Sequence, residues 1–383
     1  MSVTAARGFI ASGVAAGLKA SGKPDVALVV NSGPRFEAAG VFTSNRIKAA
    51  PVLWSQQVMK SGELRAVATN SGGANACTGP EGFADTHHTA EWVAELLDCG
   101  PGEVAVCSTG LIGERLPMNL LIPGLEIAMA NLSPEGGEEA AQAIMTTDTV
   151  PKTAVVAGDG FVVGGMAKGA GMLAPGLATM LCTITTDAVV DSEVLQRVLE
   201  AATKVTFDRI DSDGCMSTND TVLLLASGAS GVEPTESQLS DAVTGVCQQL
   251  SRALIADAEG ASKDICINVV HAASESDAVE VARAVSRSNL LKCAIHGEDP
   301  NWGRVISAAG TTSAAFSADE IAVAINGVWV CRNGSVGEDR TLVDMRGRDV
   351  TIEIDLAAGE AAATLWTNDL TAAYVHENSA YSS

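Results

Sequence analysis

Basic residues are scarce in this chain. Its 24 Lys and Arg stand against 46 Asp and Glu, a formal net charge of −22 at pH 7. Phosphate binding needs clustered Lys and Arg, so this balance argues against a nucleic-acid partner. It argues against an anionic membrane surface for the same reason. No apolar stretch reaches the roughly 18 residues of a spanning helix. The opening segment, MSVTAARGFIASGVAAG, lacks the continuous apolar run of a secretory signal. Nine cysteines are present, an odd number, and no two have C-x-x-C spacing. Neither a disulfide framework nor a zinc site is indicated, and the expected compartment is the reducing cytoplasm. Sequence repeats, heptads and low-complexity linkers are absent as well.

What is present is a large apolar fraction, 47% of 383 residues. That suffices for two or three ordinary domains or one large layered one. Short apolar runs between turn residues read as strands buried on both faces: DVALVV from Asp25, LRAVAT from Leu64, EVAVCS from Glu103, TVLLLAS from Thr221 and DICINVV from Asp264. Near the end VTIEIDL alternates, with Val350, Ile352, Ile354 and Leu356 on one side. It reads as a half-solvated antiparallel strand, with AAATLWT pairing to it across a turn at Gly359. Three helices are clear. One opens at Asp191 or Ser192 as cap and carries the stripe Val194, Leu195, Val198, Leu199, Ala202 and Val205. The others are SQLSDAVTGVCQQLSRALI and SDAVEVARAVSRSNL. The pattern is sheets covered by helices, an α/β class, with a soft boundary at Asn289.

The stretch AKGAGMLAPGLATML, Ala167–Leu181, fits no regular element. Gly164, Gly165, Gly169 and Gly171 crowd its approach, and Pro175 would break a helix. Thr179 stands alone before an apolar run. If the chain were cut before it, its hydroxyl would become a nucleophile and its own α-amine, titrating near ~8, a general base. The glycines would supply the backbone angles that self-cleavage needs. A plain strand threonine explains the same residues. CSTGLIGERLP places Ser108, Thr109 and Gly110 at a strand end, where a backbone N–H beside a hydroxyl would serve as an oxyanion hole or simply form a glycine turn. The loop ATNSGGANACTG is polar and glycine-rich; Cys77 in it has only His87 and His88 near in sequence. Lys168 and Glu259 sit in glycine-flanked settings. They would hold a zwitterionic substrate by its carboxylate and ammonium, or be surface charges. GAGMLA runs into Pro175 rather than opening a helix, so it is no dinucleotide loop. RIDSDG has Arg209 where a calcium ligand belongs.

Together, NSGGANACTG, CSTGLIGERLPM, AIMTTDT, AKGAGMLAPGLATML, STNDT, DAEGASK, DPNWGR and the terminal NSAYSS closely resemble the ornithine acetyltransferase (bifunctional glutamate N-acetyltransferase) family of arginine biosynthesis, in an actinobacterial-like form. The match runs nearly end to end and in order. The resemblance implies self-cleavage between Ala178 and Thr179 into residues 1–178 and 179–383. The pieces would stay associated as an α2β2 heterotetramer. Thr179 would be the nucleophile and Thr109 with Gly110 the oxyanion hole. Thr146, Lys168, Thr179, Glu259, Asn378 and Ser383 would contact substrate, so the polar C-terminal tail would close the site. The implied reaction is ping-pong transfer of acetyl from N2-acetylornithine to glutamate. No metal and no cofactor are implied, although some relatives also take acetyl-CoA as donor. The implied fold is a four-layer αββα sandwich of N-terminal-nucleophile type over residues 1–288, with a smaller C-terminal α/β domain over 289–383. Two departures stand out. Gly73 replaces an amide side chain, and Cys215 and Met216 replace small polar residues; both are expected to lie away from the nucleophile and the oxyanion pair. Two other readings use the same residues. An aminopeptidase or amidase would pass the acyl group to water, and a binding protein would leave Thr179 inside an intact chain.

Overall fold

The computed structural model describes residues 2–174 and 180–380. Among them the expected buried runs are strands. The first nine are β1 (Phe9–Val14), β2 (Val26–Asn31), β3 (Ala38–Phe42), β4 (Ala66–Ser71), β5 (Val104–Thr109), β6 (Lys152–Ala157), β7 (Val162–Lys168), β8 (Leu181–Thr186) and β9 (Thr221–Ala226). They form two sheets, ordered β1-β2-β4-β5 and β3-β9-β8-β7-β6. Their helices are α1 (Ala50–Val58), α2 (Gly79–Leu97), α3 (Met118–Ala130), α4 (Gly137–Ala143), α5 (Ser192–Val205) and α6 (Glu236–Ala256).

The period of two along each strand creates the layers. In β2, Ala27 and Val29 join Leu223 and Leu225 of β9 and Met166 of β7 in one core, so this face meets the second sheet. Val26, Leu28 and Val30 of the same strand pack instead with Val93 of α2 and Leu121 and Leu125 of α3. On the far side of the second sheet, α5 and α6 pack against each other and against β3, β6 and β7. The result is a four-layer αββα sandwich. The outer edge of β5 is covered by α1, whose Ser55 hydroxyl donates to the Val106 carbonyl at 2.8 Å and accepts from the Val106 N–H at 3.0 Å.

Two of the four glycines expected to supply backbone angles for self-cleavage serve packing instead. Gly164 and Gly165 are buried within β7. A Cβ on Gly164 would sit 2.3 Å from the Ser2 carbonyl oxygen, and one on Gly165 would sit 2.9 Å from Val246 of α6. Missing side chains here let the chain start and a helix press onto the sheet. At α5, Asp191 is the N-cap residue but makes no cap bond. Its carboxylate accepts from Arg35 at 3.2 Å.

A second unit comprises Arg209–Gly214 and the chain from Ala258 onward. Its strands are β10 (Asp264–Ala272), β11 (Ala322–Ile325), β12 (Val328–Arg332), β13 (Ser335–Val336), β14 (Asp349–Asp355) and β15 (Ala361–Asn368), in the order β13-β12-β11-β14-β10-β15. Its helices are α7 (Glu275–Ser286), α8 (Asn289–His296), α9 (Trp302–Ala309) and α10 (Ala372–Ala380). Val350, Ile352 and Ile354 do share one face, in a core with Ile265, Ile267 and Val269 of β10 and Val281 of α7.

Two expectations are corrected. β14 and β15 do not form a hairpin: β10 lies between them, parallel to β14 and antiparallel to β15. The connection crosses the end of β10, where the N–H groups of Ala358 and Gly359 both donate to the His271 carbonyl. Gly359 permits the crossing, because a Cβ there would lie 2.5 Å from the Ala272 carbonyl oxygen. The division of the chain falls at Asp257/Ala258 rather than at Asn289. β10 is internal to the second sheet and α7 covers it, so neither can belong to the first unit. The run read as one helix through Leu290 stops at Ser286, because the Ser288 hydroxyl takes the Leu291 N–H and starts α8.

Candidate functional site

β4 and β5 run parallel, with Ser71 opposite Thr109. Just beyond, the chain folds into a tight double turn. The Thr109 carbonyl accepts from the N–H groups of Gly72 at 2.9 Å and Gly73 at 3.0 Å. Gly110 has φ +132°, and a Cβ on it would lie 2.5 Å from the Gly73 nitrogen. Only glycine fits. Gly73 therefore touches the expected oxyanion pair, contrary to the expectation that its substitution lies away from it. Buried amides brace the turn. Asn70 donates to the Gly73 carbonyl at 3.0 Å and accepts the Ser108 hydroxyl at 2.6 Å. Asn219 donates to the carbonyls of Ala74 at 2.6 Å and Ser108 at 2.8 Å.

Lys168 ends β7 and is a buried group, not a surface charge; its relative exposure is 2%. Its Nζ donates to the Thr109 hydroxyl oxygen at 3.1 Å. The opposing charge is Asp148, also buried, which accepts from the Gly169 N–H at 2.7 Å, from Lys152 at 2.6 Å and from the Thr146 N–H at 3.0 Å. Burial alone would raise the Asp148 pKa. The nearby charges of Lys168 and Lys152 and the Gly169 N–H outweigh it and hold the carboxyl below its ordinary value. Lys152 is shared with Asp257 at 2.6 Å. Thus Thr109, Gly110, Thr146 and Lys168 collect in the first unit around one buried carboxylate.

Glu259 and Asn378 meet in the second unit, where Asn378 Nδ2 donates to the Glu259 carboxylate at 2.9 Å. The C-terminal segment, which composition alone would leave frayed, is helix α10. It is tied down at Thr371, whose hydroxyl donates to the Gly260 carbonyl at 2.6 Å and accepts the Tyr374 N–H at 2.9 Å. Gly260 has φ +61°, and a Cβ on it would lie 2.2 Å from the Tyr374 nitrogen. Glu259 also lines a cavity of about 410 Å³ with Ser212, Arg287, Lys292, Asp369 and Tyr374. Burial pushes the Lys292 ammonium pKa down; it donates to the Ser212 carbonyl and to the Thr367 hydroxyl.

Ala178, Thr179 and Ser383 lie outside the described residues. Among the described residues no group of three His, Cys, Asp or Glu is placed to hold a metal ion, and no helix is long and apolar enough to cross a membrane. All nine cysteines are free thiols.

Four residues near these groups escaped the sequence reading. Asn70 and Asn219 brace the oxyanion turn. Asp220 is fully buried and accepts the Met180 N–H at 3.0 Å. Lys19 donates to the carbonyls of Pro24 and Met145, both at 2.7 Å. Burial, with a smaller push from Lys168, brings its pKa down to about 8. The motif STNDT holds Asn219 and Asp220. An amide beside an acid just before a buried apolar strand was the available signal.

Comparison with known proteins gives consistent matches. A curated relative from Streptomyces coelicolor, named arginine biosynthesis bifunctional protein ArgJ, is 70% identical over 383 residues, all of both chains. The protein of the same name from Thermobifida fusca is 62% identical over 382 residues, again all of both chains. A solved ornithine acetyltransferase from Mycobacterium tuberculosis, complexed with ornithine, is 57% identical; the match covers 47% of this chain and 96% of that one, with a TM-score of 0.43. The ArgJ family profile matches residues 10–383, and with identity at this level across the full length, the chain belongs to the ArgJ family.

Proposed function

We propose that this protein transfers an acetyl group from N2-acetylornithine to glutamate in arginine biosynthesis, through an acetyl ester on Thr179. The observation that carries the reading is the buried bond from Lys168 to the Thr109 hydroxyl oxygen beside the strained Gly110 turn. Because Lys168 occupies an oxygen lone pair, the Thr109 O–H is left to donate elsewhere, and a cation at its back strengthens it as a donor. A hydroxyl donor next to a backbone N–H suits the oxyanion of a tetrahedral acyl intermediate.

In maturation the Thr179 hydroxyl attacks the Ala178 carbonyl, the peptide C–N bond breaks as an ester forms and frees the Thr179 amine, and water then cleaves the ester to a carboxylate on Ala178 and the free Thr179 hydroxyl. In turnover that amine takes the hydroxyl proton as the oxygen attacks the acetyl carbonyl. It returns the proton to the departing ornithine nitrogen. The glutamate amine then attacks the acetyl ester and releases Thr179. Thr146, Lys168, Thr179, Glu259, Asn378 and Ser383 are proposed to contact substrate, and they offer the charges and hydrogen bonds that a zwitterionic amino acid needs. Acetyl-CoA is proposed as a second donor, with no other cofactor. The two fragments are proposed to assemble as an α2β2 heterotetramer in the cytoplasm.

The test is a donor assay with product identification. Purified protein is given N2-acetylornithine, or acetyl-CoA, with and without glutamate. The expected result is N-acetylglutamate formation that depends on glutamate, and about one acetyl group on the fragment beginning at Thr179 when glutamate is withheld. Fast acetate release without N-acetylglutamate would instead make water the acceptor.

A further inference from the structure

We infer that Asp220 is a positioning residue that fixes the strand head carrying Thr179; the inference rests on the acyl-transfer reading above. β8 begins at Leu181, and the N–H of Met180, the residue covalently next to Thr179, is donated to Asp220 Oδ1 at 3.0 Å. The Met180 carbonyl accepts the Thr221 N–H at 3.1 Å, so Met180 is gripped on both sides by the start of β9. Asp220 itself is held by its own backbone, whose carbonyl takes the Thr43 N–H at 2.9 Å. The side chain is fully buried, and its Oδ2 has no hydrogen-bond partner among the described residues.

A fully buried polar side chain is costly unless it is hydrogen-bonded, and the backbone bond that this one accepts is the Met180 N–H. Buried polar groups kept at such a cost cluster where geometry matters for function. The surroundings favour the neutral form: burial raises the Asp220 pKa well above its ordinary value, against weaker opposition from the Met180 N–H, Lys168 and Ser217. Asp220 thus holds the residue that follows Thr179 in the chain, as Lys168 holds the Thr109 hydroxyl.

The test compares two uncharged substitutions, one that keeps an acceptor for Met180 and one that does not. Asp220→Asn keeps a neutral side chain whose oxygen can accept from Met180. Asp220→Leu removes the acceptor. The wild-type protein is first examined for a fragment beginning at Thr179. Its absence overturns the Thr179 reading itself, and with it this inference. With wild type cleaved, D220L is expected to cleave itself slowly. Its mature fraction should lose kcat by roughly 100-fold, the scale of a misplaced reacting group, while KM changes far less. D220N is expected to cleave and turn over within about threefold of wild type. D220L cleaving and turning over like wild type overturns the inference and leaves the Thr179 reading standing. If D220L does not fold, D220N alone decides: retention within threefold supports the neutral anchor, and a folded D220N that loses more than about 30-fold overturns it.

Discussion

The Lys168 ammonium and the Thr109 hydroxyl meet at 3.1 Å in the interior, with relative exposures of 2% and 5%. A donor this deeply desolvated is worth more than one at the surface. Thr109→Val keeps the shape and removes the hydroxyl, so it should lower kcat by about 10²–10³ with a small effect on KM, the range found for loss of one oxyanion donor. Thr109→Ser should retain most of the rate. Lys168→Met should lower turnover at least as much, because it also removes one of the two cations near Asp148. Steady-state kinetics on variants of wild-type melting temperature checks all three. A valine variant of normal kcat would remove Thr109 from the mechanism.

Gly110 and Gly73 make contact, yet they should respond differently to substitution. Gly110→Ala forces a Cβ onto the Gly73 nitrogen at a backbone angle that L side chains rarely adopt. It should abolish turnover and cost about 1–3 kcal/mol for the backbone conformation alone. A Cβ on Gly73 would meet only the Leu116 Cδ2, at 2.8 Å, the movable end of a flexible side chain. Gly73→Asn, which supplies the amide that the resemblance leads one to expect there, should therefore fold with little change in melting temperature. Its effect should appear in KM for the amino-acid substrates. Thermal melts paired with kinetics separate the two cases; a fully active Gly110→Ala enzyme would contradict the turn geometry.

The buried Asp148 gives a pH signature. Its carboxyl is held below the ordinary value in the folded state. The stability it contributes is thus fully present above the unfolded carboxylate pKa of about 3.9 and is lost as pH falls through the lower folded value. Asp148→Asn should cost about 3–5 kcal/mol at pH 7, since it leaves Lys152 and Lys168 short of a buried counter-charge. The gap to wild type should be constant from pH 6 to 8 and close below pH 4. Urea unfolding at a series of pH values reads both. A gap that widens on acidification would reverse the assignment.

Much of the architecture could be read from periodicity, because burial on each strand and helix is a local pattern. β2, β4, β5, β9 and β10 are where the apolar runs stand, and α6 follows its stripe of Leu239, Val243, Val246 and Leu250. Helix α2 was missed because it opens with Gly79 and Pro80 and carries Gly82, which read as loop residues. Pro80 in the first turn is compatible with a helix, since its missing N–H would have no intrahelical partner there. Strand pairing was less legible. Nothing local to β14 or β15 says that a strand some 80 residues earlier inserts between them. The braces of the site were hidden for the same reason. Asn219 reaches Ala74 across 145 residues, and Lys168 reaches Thr109 across 59. The residue types were visible; their meeting depends on the sheets having stacked.

Helix α10 makes the last prediction, because its placement depends on a residue with no side chain. Gly260 combines φ +61° with backbone contact to Tyr374, so Gly260→Ala must push the start of α10 away. The Asn378 bond to Glu259, one turn further along the helix, should be lost with it. On the proposed reading both residues contact substrate. Gly260→Ala should then raise KM for N2-acetylornithine by about as much as Asn378→Ala, on the order of 10-fold for one lost hydrogen bond to a charged group. The double variant should be no worse than either single one, since both remove the same contact. Glu259→Gln should be more severe, because the charge itself goes. Kinetics of the four variants tests the chain of cause, and additive losses in the double variant would show that Gly260 acts by some route other than Asn378.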